Sequence, residues 1–267
     1  RIAVIGGGPA GLAFASTAAA RGHELILFER SHELGGQFNL AKQVPGKEEY
    51  QYTIDYFRNA LERHGVKVYL KHEPSLEELM AYDEVVLASG IKPRKINIPG
   101  INHPKVKTYL EAFANPNVLG AKLAIIGAGG IGIDLATRLT TAPQDFYQSW
   151  GIDLRVEHQG GLSKPVLAHS AREIYLLQRK PGKIGANLGK TTSWIHRLEL
   201  KRHGVKVLSN LEYVRIDDEG LHLKQGQKIY VLGVDNIIIC AGQESEQSLY
   251  TGLQASGKVV HLIGGAY

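Results

Sequence analysis

Short apolar runs alternate with helical segments along the first half of the chain. The runs are continuous and rich in branched residues, which is typical of strands buried in a parallel sheet. The predicted strands are residues 2–5, 24–28, 66–70 and 84–88. The predicted helices are residues 12–21, 47–64 and 76–80, and Gly22 and Gly65 end the first two. This alternation predicts an α/β fold.

The same order returns in the second half, which predicts a second domain. Further strands are expected at residues 123–126, 173–177 and 236–241. A short helix at 109–114 lies in a Pro- and Asn-rich segment where the chain is expected to pass from the first domain to the second. Near residue 235 the chain is expected to return to the first domain. We therefore expect two Rossmann-like three-layer domains, one of which (120–235) is inserted in the other, a split domain (1–119 and 236–267). Residues 141–170, interrupted by Pro143, Gly160, Gly161 and Pro165, are read as an excursion without an assigned task.

Two glycine fingerprints follow predicted strands directly. The first is Gly-Gly-Gly-Pro-Ala-Gly at residues 6–11, and the second is Gly-Ala-Gly-Gly-Ile-Gly at 127–132. In such a motif the first glycine makes a tight turn, the second lets a pyrophosphate approach, and the third lets helix and strand pack closely. The helix N-terminus offers free N–H groups to the phosphates. Two fingerprints in this context predict two dinucleotide sites.

The residue at the tip of the next strand distinguishes the two sites. Glu29 lies 23 residues past Gly6, where a carboxylate accepts hydrogen bonds from ribose hydroxyls and repels a 2′-phosphate. The first site therefore suits FAD or NAD. The second corresponding strand ends in Gln178-Arg179-Lys180 without an acid. The guanidinium of an arginine can donate two hydrogen bonds to a 2′-phosphate, which favours NADPH, although a solvated strand end is the alternative interpretation. Both domains are thus expected to be nucleotide-binding, the split domain (1–119 and 236–267) being the FAD domain and the inserted domain (120–235) the NADP domain.

Composition limits the classes of function. The chain has 267 residues, 43% hydrophobic and 21% charged, as expected for a two-domain globular protein. Its net charge of +5 is treated as modest and dispersed, which fits anionic small ligands and not nucleic acid. No apolar stretch approaches the roughly 20 residues of a membrane span, and no signal peptide is visible. A cytoplasmic protein is expected.

Cysteine and histidine usage excludes several redox and metal centres. The single cysteine, Cys240, cannot form a dithiol centre or ligate a four-iron cluster, so this chain is not itself a disulfide reductase. The histidines are never three to five residues apart, so no helix-borne zinc pair exists and no metal site is expected. His64 and His203 precede glycines and are expected at helix C-termini.

A resemblance to a known family rests on the run Gly-Lys-Thr-Thr-Ser-Trp-Ile-His-Arg at residues 189–197. Further matching segments are residues 36–39, 41–43, 45–49, 159–163, 178–180, 239–244 and 261–265. Together they resemble the C-terminal half of bacterial NADPH-dependent 2,4-dienoyl-CoA reductases, over essentially the whole chain. That family resembles trimethylamine dehydrogenase and the old-yellow-enzyme-like reductases in its plan, with an FMN barrel and a four-iron cluster ahead of this portion.

The resemblance implies an electron path from NADPH to FAD, then to the cluster, to FMN and to the dienoyl-CoA. This chain would be an NADPH-dependent flavin oxidoreductase holding the first two stations, with FAD and NADPH as cofactors. FMN and the cluster are expected only in a fused or partner domain. Its work would be to position the nucleotides and exclude water, so no catalytic acid or base is expected. The resemblance carries no information on acyl specificity for this portion.

The resemblance also implies roles for individual residues. It places Ala10, Glu29, Gln37 and Lys47 on FAD, the backbone near Pro74 at the adenine, and Gly265 and Ala266 at the ribityl chain. Arg179 and Lys180 would bind the 2′-phosphate and Trp194 would lie near the second nucleotide, while Lys190 is either a phosphate contact or an ordinary exposed lysine. Fingerprints, strand ends and resemblance complete the cofactor-binding set with Gly6, Gly8, Pro9, Gly11, Arg30, Gly36, Ser89, Gly90, Gly127, Gly129, Gly130, Ile131, Gly132, Ala241 and Gly242.

Two features of the chain temper the resemblance. Tyr267 stands where the family usually has an aspartate for the ribityl hydroxyls, which lowers the expected affinity for flavin. The abrupt ends are interpreted either as those of an excised portion of a longer polypeptide or as those of a sequence trimmed to its ordered residues. Two alternatives remain open. The first is a binding module in which one degenerate site holds only ADP or nothing, an arrangement that resembles trimethylamine dehydrogenase. The second is a stand-alone NADPH-dependent flavin reductase.

Overall fold

The structure is a computed structural model that describes residues 1–141, 146–166, 170–186 and 188–267. It divides into two compact units. The first is discontinuous, Arg1–Lys92 with Gln243–Tyr267, and the second is the continuous segment Pro93–Gly242. One unit is therefore inserted in the other, as the sequence predicts.

The elements follow the predicted alternation of strand and helix. The strands are β1 (Ile2–Ile5), β2 (Leu25–Glu29), β3 (Lys67–Leu70), β4 (Glu84–Leu87), β5 (Ile91–Pro93), β6 (Val106–Thr108), β7 (Lys122–Ile126), β8 (Glu173–Leu177), β9 (Lys206–Leu208), β10 (Glu212–Asp217), β11 (Gly220–Gln225), β12 (Lys228–Leu232), β13 (Asn236–Ile239), β14 (Gln243–Ser245) and β15 (Val259–Leu262). The helices are α1 (Pro9–Ala20), α2 (Phe38–Ala41), α3 (Tyr50–Arg63), α4 (Leu76–Leu79), α5 (Tyr109–Ala114), α6 (Gly130–Thr140), α7 (Phe146–Trp150), α8 (Ser193–Arg202) and α9 (Tyr250–Ala255). Short 3-10 turns lie at Pro116–Val118, Gln159–Gly161 and Gly264–Ala266.

The first unit is built on a five-stranded parallel sheet in the order β15-β4-β1-β2-β3. One face of the sheet packs on α1 and α3 through Val4, Leu12 and Leu61. The other face packs on α4 and α9 through Phe28, Leu79 and Leu253. These three layers place the N-terminus of α1 at the carboxyl edge of the sheet, which is where open α/β sheets bind ligands.

The second unit repeats this plan with one change. Its sheet is again five-stranded and parallel, in the order β6-β13-β7-β8-β9. Helix α6 follows β7 as α1 follows β1. The opposite face is covered by an antiparallel meander, β10-β11-β12, whose Leu221 and Leu223 join Ile126 and Leu177 in one core. The α/β class with two Rossmann-like units is thus confirmed.

The meander is the largest element that the sequence analysis did not predict, and β9 and α9 were not predicted either. Its strands mix apolar and charged residues, and β11 is buried from Gly220 to Leu223, including the histidine His222. Leu221 and Leu223 pack on the parallel sheet, but His222 on the other face of β11 is buried as well and bonds Asp217, so the strand lacks the alternation of a half-exposed strand. Helix α1 begins at Pro9, earlier than the predicted residue 12, since proline at the first helical position fixes φ for a helix.

The boundaries of the compact units differ from the predicted domain limits. Strand β6 pairs with β13, and β13 pairs with β7, so that residues 93–119 and 236–242 belong to the second unit. A Pro-rich crossing in sequence thus contributes a strand to the inserted unit. Assignment of FAD to one unit and NADPH to the other remains a prediction.

Part of the excursion at residues 141–170 is described. Helix α7, an isolated bridge between Ile152 and Leu162 and a turn at Gln159–Gly161 give it local structure. Pro143 and residues 167–169 lie outside the described residues. Within the described part of the chain, no helix is long and apolar enough to cross a membrane.

Candidate functional site

The first glycine fingerprint forms a tight turn between β1 and α1. Gly6 has φ +109°, and its N–H donates to Phe28 O at 2.8 Å. A Cβ on Gly6 would lie 2.4 Å from Ala88 O, and one on Gly11 would lie 2.0 Å from Gly6 O. The first and third glycines are therefore required by the protein's own packing, because no side chain fits there.

The middle glycine, Gly8, has no such requirement. Its backbone (φ −78°, ψ −179°) is ordinary extended geometry that any residue adopts. A Cβ there would meet only Gly36 Cα, at 3.9 Å. Gly8 is the N-cap of α1, so the absent side chain leaves open space directly in front of a helix N-terminus. A bound pyrophosphate fits this observation, since it needs close approach to the backbone N–H groups.

Other backbone segments of the first unit close around this turn. Gly35 N–H donates to Gly7 O at 2.8 Å, and a Cβ on Gly36 would lie 2.9 Å from Gly8 Cα. A Cβ on Gly265 would lie 3.3 Å from the carbonyl carbon of Gly90. The predicted residues Gly6, Gly8, Ala10, Gly36, Gly90 and Gly265 thus gather around the start of α1, with Gly264 against Ala10.

Glu29 ends β2 beside the glycine turn and is buried, with 8% of its surface exposed. Its Oε2 accepts a hydrogen bond from Gly7 N–H at 2.6 Å, and its Oε1 accepts one from Ser31 N–H at 2.8 Å. Two backbone donors offset the desolvation of a buried carboxylate. The structure thus places the predicted ribose-binding group against the middle of the fingerprint.

The remaining predicted residues of the first unit occupy varied positions. Pro9 opens α1, Gln37 is the N-cap of α2, and Ala266 is buried with its carbonyl accepting from Gln247 Nε2 at 2.6 Å. Ser89 Oγ donates to the carbonyl of Glu246. Arg30 is exposed, Lys47 is half-buried ahead of α3, and Pro74 is buried after β3. The roles of these residues toward a flavin remain predictions.

The second fingerprint repeats the geometry of the first. Gly127 has φ +114°, and its Cβ would lie 2.3 Å from Cys240 O. A Cβ on Gly132 would lie 1.8 Å from Gly127 O, whereas one on Gly129 would have no atom within 4 Å. Gly129 is the N-cap of α6 with φ −85°, so its missing side chain again leaves open space at a helix N-terminus. Gly130 and Ile131 are the first two residues of that helix.

Strand register identifies the position in the second unit that corresponds to Glu29. Ile5 pairs with Phe28 in the first sheet and Ile126 pairs with Leu177 in the second, each just before the first glycine. The next residues, Glu29 and Gln178, are therefore equivalent. Gln178 Nε2 donates to Lys180 O at 2.9 Å and to Gly182 O at 3.0 Å, which holds the turn after β8. A neutral amide replaces the carboxylate.

The predicted phosphate-binding cations follow Gln178 and are exposed. Arg179 and Lys180 form no ion pair among the described residues. Lys190 is exposed just before α8, and Trp194, in its first turn, is 56% exposed. Ala241 and Gly242 follow β13, where the Cβ position of Gly242 lies 3.4 Å from the Arg94 guanidinium carbon. The nucleotide contacts of these residues remain predictions.

One acidic and histidine cluster lies on the β10–β11 hairpin. Ligand atoms of Asp217, Glu219 and His222 lie within 4.8 Å of one another. Asp217 already accepts from His222 Nε2 at 2.8 Å and from Arg215 Nε at 2.9 Å, and the hydrogen bond from His222 is the main cause that lowers the pKa of Asp217 to about 2. Arg215 and His222 thus both engage Asp217, and Glu219 lies 3.8 Å from His222, so that the four side chains form one polar network on the hairpin.

Comparison with known proteins agrees with this architecture. The family model described as pyridine nucleotide-disulphide oxidoreductase matches residues 1–261. A metal reductase of Desulforamulus reducens is 30% identical over 275 residues, covering 100% of this chain and 41% of that protein. An NADH oxidase of Thermoanaerobacter brockii is 36% identical over 146 residues, covering 51% of this chain and 22% of that protein. The chain therefore spans less than half the length of these relatives.

A solved structure extends the comparison to three dimensions. The complex of a 2-naphthoyl-CoA reductase with 2-naphthoyl-CoA matches with a TM-score of 0.84 at 23% identity, over 100% of this chain and 36% of that chain. At this identity the likeness shows the shared fold alone.

Sequence reasoning missed three features of the two turns. The bond from Gly7 to Glu29 and the position of Arg94 depend on contacts between segments that are distant in sequence, whereas the donor role of Gln178 depends on the shape of the turn that follows β8. A signal for Gln178 was present, since counting from the last strand residue in each repeat aligns it with Glu29.

The contrast between glycines in one turn predicts separable effects of substitution. Gly129→Ala should change stability by less than about 1 kcal/mol, because only a helix cap is altered, yet it should weaken dinucleotide binding. Gly132→Ala should destabilise the protein by about 3 kcal/mol or more, because its Cβ collides with Gly127 O. Thermal unfolding measures the change in stability, and titration with NADPH and NADH measures the change in dinucleotide binding. Undiminished binding by Gly129→Ala would contradict the interpretation of this space.

Proposed function

This chain belongs to the pyridine nucleotide-disulphide oxidoreductase family, and from that premise we propose that it transfers hydride from NADPH to FAD. The observation that carries the proposal is a pair of matching glycine turns whose register-equivalent residues differ, Glu29 in one and Gln178 in the other. One turn favours a nucleotide with a free ribose, and the other tolerates a 2′-phosphate.

The first unit supports FAD as its ligand. The N-cap Gly8 faces open space, and backbone segments at Gly36, Gly90 and Gly265 come close to the same turn. Glu29 already accepts two backbone hydrogen bonds, which fixes its carboxylate at the turn, and a carboxylate can accept further hydrogen bonds from ribose hydroxyls. When bound, a flavin supplies the two-electron acceptor. The residues of this chain hold and orient it.

The second unit supports NADPH as its ligand. The name of the Thermoanaerobacter relative refers to NADH, so membership of the family does not by itself select the phosphorylated cofactor. The selection must come from local residues. Gln178 removes the carboxylate that would repel a 2′-phosphate, and Arg179 and Lys180 follow it as exposed cations. Together these three residues favour NADPH over NADH.

The chain's single thiol bears on where the electrons go next. Cys240 is buried, and burial raises its pKa to about 12, so the thiol stays protonated and unreactive near neutral pH. A lone buried thiol cannot carry out dithiol exchange. Electrons that reach the flavin would therefore leave to another acceptor. The sequence resemblance supports an iron–sulfur and FMN domain and, beyond it, a 2,4-dienoyl-CoA in a cytoplasmic enzyme of unsaturated fatty acid oxidation.

The direct test of the proposal is flavin reduction. Protein loaded with FAD and mixed anaerobically with NADPH should lose its visible flavin absorption and then reduce a small artificial acceptor. The same protein should not turn over a dienoyl-CoA, because the chain has no four-cysteine set for a cluster. A flavin-saturated protein that NADPH does not bleach would favour the binding module with one degenerate site.

Loss of the Glu29 carboxylate should affect flavin retention more than NADPH binding. Glu29→Ala removes a charge-assisted acceptor, and such bonds are roughly twice as strong as neutral ones. The purified variant should contain less FAD and should need a higher FAD concentration for reloading. Glu62→Ala, at an exposed position of α3 in the same unit, is the matched control. Full flavin content with weakened NADPH binding would show that the two sites are reversed.

Cofactor preference should respond to the two residues after β8. Arg179→Ala should weaken NADPH binding by about 1.5–3 kcal/mol, the range for a hydrogen bond to a charged group, and leave NADH binding nearly unchanged. Gln178→Glu should give the second site a carboxylate at the position that Glu29 occupies in the first site, and it should shift the cofactor preference of the second site from NADPH toward NADH. Titration of each variant with NADPH and with NADH measures the ratio of the two dissociation constants. Equal affinities in the unmodified protein would refute the assignment.

A further inference from the structure

Two residues of the first unit, Glu246 and Gln247, are hydrogen-bonded to two backbone segments that a flavin is expected to contact. They follow β14 directly, where the chain returns to the first unit. Ser89 Oγ donates to the carbonyl of Glu246, and Glu246 N–H donates to Gly90 O at 2.9 Å. Gln247 Nε2 donates to Ala266 O at 2.6 Å. The pair therefore connects the chain after β4 with the 3-10 turn after β15.

The turn after β15 packs closely on its neighbours. Gly264 has φ +61°, and a Cβ there would lie 2.5 Å from Ala10 Cβ, in the first turn of α1. A Cβ on Gly265 would lie 3.3 Å from the carbonyl carbon of Gly90. The turn thus lies between the start of α1 and the backbone after β4, beside the first glycine fingerprint.

The polar groups of this turn are satisfied in two different ways. Ile263 O accepts from Ala266 N–H at 3.3 Å, and these two groups belong to the turn itself. Gly264 O accepts from Tyr267 N–H at 3.2 Å. Ala266 is fully buried, and its own carbonyl accepts from the side chain of Gln247. Because a buried carbonyl without a donor is costly, Gln247 fixes the direction in which this peptide group points.

The backbone that carries Gln247 is itself held on both sides. Tyr250 N–H, at the start of α9, donates to Gln247 O at 3.0 Å. On the other side, the Glu246 carboxylate accepts from Ser248 N–H at 3.0 Å and lies 3.3 Å from Lys92 Nζ. The amide of Gln247 therefore reaches Ala266 from a fixed position.

We propose that Gln247 is a positioning residue for the flavin of the first unit. The inference rests on the proposed function and deepens it. The resemblance assigns Gly265 and Ala266 to the ribityl chain, and Gln247 acts on the flavin through them. By holding the Ala266 carbonyl, its amide keeps the peptide groups of the turn in one orientation. A backbone that is ordered before binding loses less conformational freedom when the cofactor binds, which raises affinity.

The role requires a neutral hydrogen-bond donor at residue 247. A side-chain amide offers N–H groups to a carbonyl, whereas an ionised carboxylate offers only acceptors. Methionine is also unbranched and offers no N–H or O–H group. Gln254 provides a matched control, because it is exposed on α9 of the same unit and its Nε2 donates to Tyr250 Oη at 3.1 Å.

The test is binding of FAD to the unmodified protein, to Gln247→Met and to the control Gln254→Met. Gln247→Met should raise the dissociation constant of FAD about tenfold. At saturating FAD it should also change the visible circular dichroism of the bound flavin, because the turn is no longer held in one orientation. The control should change neither quantity. A lower thermal stability of flavin-free Gln247→Met, with constant and spectrum unchanged, would overturn the proposal, because Gln247 would then serve folding alone.

A second variant tests the hydrogen bond itself. Gln247→Glu can donate to Ala266 O only when its carboxyl group is protonated. Its affinity for FAD, relative to that of the unmodified protein at the same pH, should therefore recover as the pH is lowered from about 8 to about 5. Gln247→Met should show no recovery over this range. Equal, pH-independent losses of affinity in the two variants would contradict a role for this hydrogen bond.

The outcomes separate this inference from the proposed function. If the unmodified protein and Gln247→Met bind FAD with equal affinity and the same spectrum, the positioning role is overturned and FAD remains the ligand. If Gln247→Met shows the expected losses but NADPH does not reduce the flavin of the unmodified protein, the positioning role stands and hydride transfer is refuted. If the unmodified protein binds no FAD, the proposed function and this inference both fall.

Discussion

The contact on which both units depend is the close approach of a helix to the carbonyl of its own glycine turn. At Gly11 and at Gly132 a methyl group would lie about 2 Å from the carbonyl oxygen of the first glycine. No side chain larger than hydrogen fits, so the helix lies directly against the strand that precedes it. This proximity places the helix N-terminus at the carboxyl edge of the sheet. The open space at Gly8 and Gly129 is a consequence of it.

Two copies of this scaffold have diverged at one register position. Glu29 turns its carboxylate toward the N–H of Gly7, so a negative group lies inside the turn. Gln178 turns its amide donors toward its own backbone, which leaves the second turn without an acid and stiffens the segment bearing Arg179. The divergence thus changes both the charge of the site and the geometry of the segment after the strand. The difference between glutamate and glutamine at this one position therefore has two structural consequences, one for the charge of the turn and one for the segment after the strand.

Much of this could be predicted from sequence because glycine and branched apolar residues act locally. The strands before Gly6 and Gly127, the helices after them and the acid at Glu29 are all properties of short windows, and the structure confirms the elements. The meander was missed because its strands mix charged residues with Leu221 and Leu223, which are buried by contacts with a distant sheet. The place of Gln178 at the end of the second corresponding strand was predicted, but the two hydrogen bonds that its amide donates were not, because they depend on the shape of the following turn. The compact units have other limits than the expected domains, because β6 joins the sheet of the second unit by pairing with β13, which is distant in sequence.

On the proposed assignment, the two sites suit ligands that stay for different times. Around the first turn, several backbone segments converge and the polar group is a buried carboxylate with two fixed donors. Burial and fixed geometry slow the release of a bound nucleotide. Around the second turn, the polar groups are exposed cations on long side chains, anchored only through their backbone. Exposed charge favours fast encounter and permits fast release. A retained flavin and an exchanging nicotinamide nucleotide need this difference, because one flavin must be reduced by many successive nucleotides.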